Sequence, residues 1–124
     1  MRLFLAIILV TGFVVDTIAQ NCNAYLYVGN TLQYEACQIA EERAGWYQFT
    51  WEYRDALERA VDHCPYFSHG YRPMSVAYLK SGDFINWEKL MDKAVHLEPM
   101  EHLGYRGWCR NQFFRDYEGA IADI

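Results

Sequence analysis

Residues 71–99, with the sequence YRPMSVAYLKSGDFINWEKLMDKAVHLEP, contain the pattern that decides the fold. Each half of this stretch is amphipathic, with apolar residues recurring at helical spacing. Gly82 lies between the halves and can adopt the left-handed backbone that closes a helix, and Asp83 can cap the next helix. Pro99 follows the last apolar residue and ends the second helix. The stretch therefore predicts two helices joined by a short turn.

The same pattern recurs along the chain with a period of about 34 residues. Pro65 and Pro99 are 34 positions apart, and so are Ala60 and Ala94. A third copy begins at Tyr105. Its spacing from the second copy is one residue shorter than the 34-residue period. Helical hairpins repeated at this period are typical of stacked repeat proteins, so we expect an all-α fold.

These hairpins resemble tetratricopeptide repeats, mainly over residues 66–124. YLKSGDF, followed by Ala94, resembles such a repeat, and so does RGWCRNQFFRDYEGAIADI. Tyr71 stands where the family has a large aromatic residue early in the first helix, and Ser75 and Ala94 are the small residues expected where the helices touch. Trp87 departs from the pattern, because the family has Ala in the middle of the second helix's contact face.

The resemblance implies an all-α, helical-hairpin repeat fold: a tetratricopeptide-like α-solenoid of two to three repeats, the last one incomplete. Its boundaries are residues 31–65 for a degenerate repeat, 66–99 for a full repeat and 100–124 for a partial repeat. Because such repeats are scaffolds, the resemblance also implies a protein or peptide partner and no catalysis by the domain itself.

Capping residues predict where the first helices begin. Residues 20–30 form a lead-in that is either a short helix or extended chain. Asn30 or Thr31 caps a helix that reaches about Ala44, and Thr50 caps the next one.

The third repeat is expected to have its first helix at about residues 102–114 and its second from Tyr117. Two helical turns are marginal without packing, so residues 116–124 are expected to fray. The side chains expected to stay partly exposed as a result are Trp108, Phe113 and Phe114.

Residues 1–19 have the features of a signal peptide. Arg2 gives a positive start, and residues 3–15 form an apolar run that is too short to span a bilayer. Small residues precede the expected cut after Ala19, which would leave Gln20 first and resembles exported proteins of the Bacteroidetes. We therefore expect an exported chain, periplasmic or secreted, with no membrane span after the signal is removed.

The four cysteines of an exported chain can form two disulfides in three connectivities, which the sequence leaves open. They are Cys22, Cys37, Cys64 and Cys109. We favour Cys37 and Cys109 as small core residues, since free cysteines are often buried. Cys64, at a helix end, is the residue most open to pairing. Lipidation of Cys22 is a rival to simple cleavage, although Asn21 precedes it where lipoproteins have a small residue.

Charge and motifs argue against several function classes. The chain carries 16 acidic and 11 basic residues, and this net charge of −5 argues against a nucleic-acid partner. The acidic residues at 41–62 alternate with arginines at helical spacing, which indicates solvated ion pairs rather than a catalytic carboxylate pair. The sequence contains no nucleophile triad motif and no phosphate loop.

The repeat itself accounts for the loop histidines His63, His69, His96 and His102, so we predict no metal, no cofactor and no enzymatic activity.

The first helices of stacked hairpins line a concave groove, and some tetratricopeptide domains hold a terminal carboxylate there with cations and Asn. Residues 102–115 contain three arginines and no acid. The resemblance therefore implies a candidate peptide-binding set of Arg72, Val76, Lys80, Arg106, Arg110 and Asn111. Val76 departs from the family pattern, because a polar residue is expected at that position. Stacking on aromatic rings or solvation is the alternative role for these arginines.

The resulting prediction is an exported scaffold that binds an unidentified protein or peptide. Two alternatives remain open: the N-terminal helical arm of a longer enzyme, and a structural module of an envelope complex. A downstream domain with its own motif would favour the enzyme.

Overall fold

The computed structural model describes residues 21–124, and within this range every regular element is helical. The α-helices are α1 (Asn23–Tyr27), α2 (Thr31–Glu41), α3 (Trp51–His63), α4 (Ser68–Ser81), α5 (Phe84–Leu97), α6 (Pro99–Cys109) and α7 (Tyr117–Ala122), and a π-helical turn (Arg110–Phe114) separates the last two. The all-α prediction is confirmed for this part of the chain. The predicted signal peptide, residues 1–19, lies outside the described residues.

Four helices begin at a polar side chain that accepts a hydrogen bond from the backbone N–H three residues later. The pairs are Asn30 with Gln33, Thr50 with Tyr53, Asp83 with Asn86, and Asp116 with Gly119. Gly82 has φ +78° and closes α4 in the left-handed conformation. The predicted turn and the predicted caps at Asn30, Thr50 and Asp83 are confirmed, although α2 ends at Glu41 rather than near Ala44.

Consecutive helices pack in series along the chain. α2 lies against α3, α4 against α5 and α6 against α7, and contacts of α3 with α4 and of α5 with α6 join these hairpins. Ser75, Ala60 and Ala94, the small residues expected at helix contacts, are fully buried. None of the helices in residues 21–124 has both the length and the apolar character needed to cross a bilayer.

Two apolar clusters form the core. The first contains Ala36, Cys37, Ala60, Cys64 and Phe67, and the second contains Leu79, Trp87, Met91 and Cys109. Trp87 is the largest fully buried side chain. Its ring contacts Phe114 edge to face, with 4.7 Å between ring centroids. A Trp at this position therefore fills the space between helices where the tetratricopeptide pattern has Ala.

The cysteines do not pair as the sequence suggested. Cys22 and Cys37 form a disulfide, because α1 folds back on α2 and brings their Cα atoms to 5.5 Å. The expectation that Cys37 is a free core residue is therefore wrong, although its side chain is buried. Cys64, which the sequence indicated as the cysteine most open to pairing, is a free thiol packed inside the first cluster. Cys109 is a buried free thiol, as predicted.

The C-terminal hairpin differs in detail from the expected one. α6 begins at Pro99 rather than at residue 102, because proline suits the first position of a helix. Its α-helical part ends at Cys109, and the π-helical turn then leads to Arg115, which has φ +52°.

α7 is held against α6 by a close approach at Gly107. A Cβ atom there would lie 3.0 Å from the Cβ of Asp123 and 3.2 Å from the carbonyl oxygen of Ala120. Ala120 and Asp123 are buried at this contact, which opposes the expected fraying of residues 116–124. Trp108 and Phe113 are about half exposed, as predicted.

Candidate functional site

Two adjoining clefts run along α4, and together we call them the α4 cleft. The larger part has a volume of about 680 Å³ and is lined by Gln48, Tyr53, His69, Arg72, Pro73, Val76 and Tyr105. The smaller part has a volume of about 310 Å³, and its further lining includes Phe49, Trp51, Arg54, Met74 and Tyr78. The two parts share Gln48, Tyr53 and Pro73, so they form one continuous surface.

The helical period of α4 places its cleft residues on one face. His69, Arg72 and Val76 are separated by one turn each, so their side chains project in the same direction. Tyr105 of α6 forms one border of the larger part, and Tyr53 of α3 with Gln48 of the preceding segment forms the other. The cleft is therefore assembled from three successive hairpins.

Arg72 is the cation of the larger part, and it has no carboxylate partner among residues 21–124. Its guanidinium carbon lies 4.0 Å from the centroid of the Tyr105 ring, which is a cation–π contact. Burial raises the pKa of Tyr105 to about 12, so its hydroxyl remains protonated. The guanidinium is thus positioned by an aromatic ring while its N–H groups stay available to a ligand.

Among the described residues, the lining of the α4 cleft contains no Asp and no Glu. This is unexpected for a chain with 16 acidic residues and a net charge of −5. Other arginines are paired: Arg54, which lines the smaller part of the cleft, with Glu58 at 2.9 Å, and Arg59 with Glu42 and Asp55 at 3.0 and 2.9 Å. These pairs confirm the predicted solvated ion pairs, and they leave Arg72 as the arginine of the cleft lining that has no carboxylate partner among residues 21–124.

The structure brings together half of the predicted peptide-binding set. Arg72 and Val76 line the larger part of the cleft. Lys80 lies at its border, where Nζ donates to Oε1 of Gln48 at 2.8 Å. These three residues therefore share the face of α4 that the sequence analysis assigned to the groove.

The other three members of the set lie elsewhere. Arg106 and Arg110 both bind the carboxylate of Asp123, at 2.7 and 2.9 Å. Asn111 lines a separate apolar hollow of about 410 Å³, between Trp108 and Ile121. In this structure, Arg106 and Arg110 therefore form ion pairs within the chain and do not line the α4 cleft.

A buried Ser–His contact lies behind the cleft. His102 and Ser68, 34 residues apart, are both fully buried, with 2.8 Å between Nε2 and Oγ. His69 contacts the His102 ring edge to face at 5.1 Å. Burial, with the positive charge of Arg72 and the neighbouring His69, lowers the pKa of His102 to about 4, so its imidazole is neutral.

This pair lacks the arrangement of a catalytic dyad. Within residues 21–124, Nδ1 of His102 has no hydrogen-bond partner, so no carboxylate of that range orients the ring. Ser68 has no exposed surface through which a substrate could reach its hydroxyl. The contact instead joins the start of α4 to α6, and it supports the wall of the cleft from behind.

The described residues contain no group of three or more His, Cys, Asp or Glu side chains that could hold a metal ion. His63 contacts Glu35, with 2.7 Å between Nε2 and Oε2. Burial raises the pKa values of the Cys64 and Cys109 thiols, which disfavours the reactive thiolate.

Sequence analysis missed the aromatic part of the site. Tyr53 and Tyr105 come from different repeats, and nothing in their local sequence marks them as cleft residues. The aromatic run GWYQFTW at residues 45–51 was an available signal, because connecting segments are usually polar. Trp51 of this run is 71% exposed, and Phe49 is 48% exposed.

No family model, no curated protein and no solved structure matches this chain. The helical architecture is therefore known from the structure itself. Inferences about function depend on the chemistry of the α4 cleft.

Proposed function

We propose that this protein is an exported, tetratricopeptide-like scaffold that binds a protein or peptide partner in the α4 cleft, with no catalysis of its own. The observation that carries the proposal is the acid-free cleft lining around Arg72, a cation with no carboxylate partner in the described chain. On a protein of net charge −5, such a cleft complements an acidic ligand.

The serial packing of α2–α3, α4–α5 and α6–α7 supports the scaffold part of this proposal. Stacked helical hairpins create extended concave surfaces, and a cleft built from three successive hairpins is consistent with such a surface. The Cys22–Cys37 disulfide supports export, because disulfides persist in oxidising compartments.

Fluorescence anisotropy with a labelled peptide of alternating Glu and Leu tests the binding proposal. We expect saturable binding that weakens at about 1 M salt, where the Debye length falls to about 3 Å. Arg72→Glu should abolish it. Lys93→Glu changes the net charge equally on the exposed side of α5 and should leave binding unchanged. Equal weakening by both variants would indicate a general charge effect and would contradict the proposal.

A further inference from the structure

The hydrogen-bonding groups of the α4 cleft are mainly donors. Arg72 can only donate, and its guanidinium forms no hydrogen bond within residues 21–124. Gln48 uses its carbonyl oxygen to accept from Lys80, and its amide N–H groups have no partner among the described residues. The hydroxyl of Tyr53 makes no side-chain hydrogen bond within the same residues, and burial raises the pKa of Tyr53, so the hydroxyl stays protonated. A well-matched ligand would therefore offer acceptors and few donors.

Aromatic rings also follow one another along the cleft. Tyr105 and Tyr53 border the larger part, and Tyr78 and Trp51 continue the aromatic lining into the smaller part. The guanidinium of Arg54 lies over the Tyr78 ring, 5.3 Å from its centroid, and holds that ring in place. A groove lined with aromatic side chains is the kind of surface on which proline-rich segments dock.

The backbone of the described chain restricts how a peptide could bind. No strand occurs in residues 21–124, so no strand edge in that range could pair with an added peptide strand. A polyproline II segment needs no such edge, because its backbone forms no internal hydrogen bonds and its carbonyl groups point outward. Proline also lacks a backbone N–H, so a proline-rich segment provides acceptors without donors.

We propose that the α4 cleft selects proline-rich, acidic segments in the polyproline II conformation. The prolines pack on Trp51 and Tyr53, the ligand carbonyls accept from Gln48 and Tyr53, and a ligand carboxylate binds Arg72. This inference rests on the proposed peptide-binding function and adds the conformation and composition of the ligand.

Three labelled peptides of about twelve residues, on the order of 37 Å long as polyproline II, test the inference. The first repeats Pro-Pro-Glu, the second repeats Gly-Ser-Glu with the same charge, and the third repeats Pro-Pro-Gln without charge. We expect the first to bind at least about tenfold more tightly than either of the others, which corresponds to about 1.4 kcal/mol.

The outcomes separate this inference from the proposed function. If the Pro-Pro-Glu and Gly-Ser-Glu peptides bind equally in an Arg72-dependent manner, the proline preference is wrong and acidic peptide binding stands. If only the Glu–Leu peptide binds, the inference is again wrong while the proposed function stands. If none of the acidic peptides binds, both fall.

Matched variants locate the binding surface. Trp51→Ala should weaken binding of the Pro-Pro-Glu peptide about tenfold, and Tyr53→Phe should weaken it severalfold by removing one donor. Trp108→Ala and Tyr117→Phe make the same substitutions at the C-terminal hairpin, where Trp108 is 53% and Tyr117 is 59% exposed, and they should have no effect. If Trp108→Ala weakens binding as much as Trp51→Ala does, the assignment of the cleft is overturned.

Discussion

The guanidinium of Arg106 binds the carboxylate of Asp123 through two parallel hydrogen bonds, from Nε at 3.0 Å and from Nη2 at 2.7 Å. The Asp123 side chain is only 3% exposed, and Arg110 adds a third contact at 2.9 Å. Hydrogen bonding to Asp123 is the main reason that the pKa of Arg106 is raised. Bidentate geometry and burial make this the strongest ion pair described in the chain.

Asp123→Ala should therefore release α7. Removing one partner of a buried ion pair leaves the other charges uncompensated, and we expect a loss of about 3 kcal/mol in the free energy of unfolding. Denaturant titration measures this loss, and amide hydrogen exchange should become faster for residues 117–122. Asp92→Asn is the control, because Asp92 binds the same arginine but is 51% exposed, and it should cost less than about 1 kcal/mol. Rapid exchange of residues 117–122 already in the unmodified protein would contradict the anchoring role of Asp123.

Ala94→Trp should destabilise the protein by about 2–4 kcal/mol through overpacking. Ala94 lies on α5, has no exposed surface and is surrounded by packed helices, so a large ring cannot be accommodated without displacing them. Thermal unfolding gives the measurement. Ala122→Trp places the same ring at an exposed position of α7 and should have little effect. A loss below about half a kilocalorie per mole for Ala94→Trp would mean that the helix pairing is wrong.

The neutral state of His102 predicts a pH dependence of stability. Its pKa is about 4 in the folded protein and about 6.5 when unfolded, so the unfolded chain binds more protons between these values. Stability should therefore be highest above about pH 6.5 and fall by up to about 3 kcal/mol as the pH decreases to 4. The unfolding free energy of His102→Gln should be less sensitive to pH over this range. His96→Gln, at an exposed position, should keep the full pH dependence; loss of that dependence in the control instead would contradict the assignment.

Export with cleavage after Ala19 is predicted from residues 1–19 alone. Mass spectrometry of the secreted or periplasmic protein should find Gln20 as the first residue. A mature protein that retains residues 3–15, or one with an acylated Cys22, would show that this prediction is wrong. An intact Cys22–Cys37 disulfide in the same sample would agree with an oxidising compartment.

Local chemistry was sufficient to determine several helix starts and the turn between α4 and α5. Thr50, Asp83 and Asp116 act as caps because a short polar side chain can accept from the exposed N–H groups of a helix start, whatever the rest of the chain does. Gly82 closes α4 for a similar reason, because only a residue without Cβ adopts φ +78° at no steric cost. Periodicity also identified Ala60 and Ala94 as buried helix contacts.

The partners of individual side chains were decided only by the tertiary structure. Arg72 and Arg106 look equivalent in sequence, but one stacks on Tyr105 in an open cleft and the other is paired with the buried Asp123. Cys37 pairs with Cys22 rather than with Cys64 because of the direction in which α1 returns to α2. Helical spacing specifies which face a residue occupies, whereas burial and pairing depend on which distant helix covers that face. Those contacts arise from the packing of the whole chain, and no local pattern encodes them.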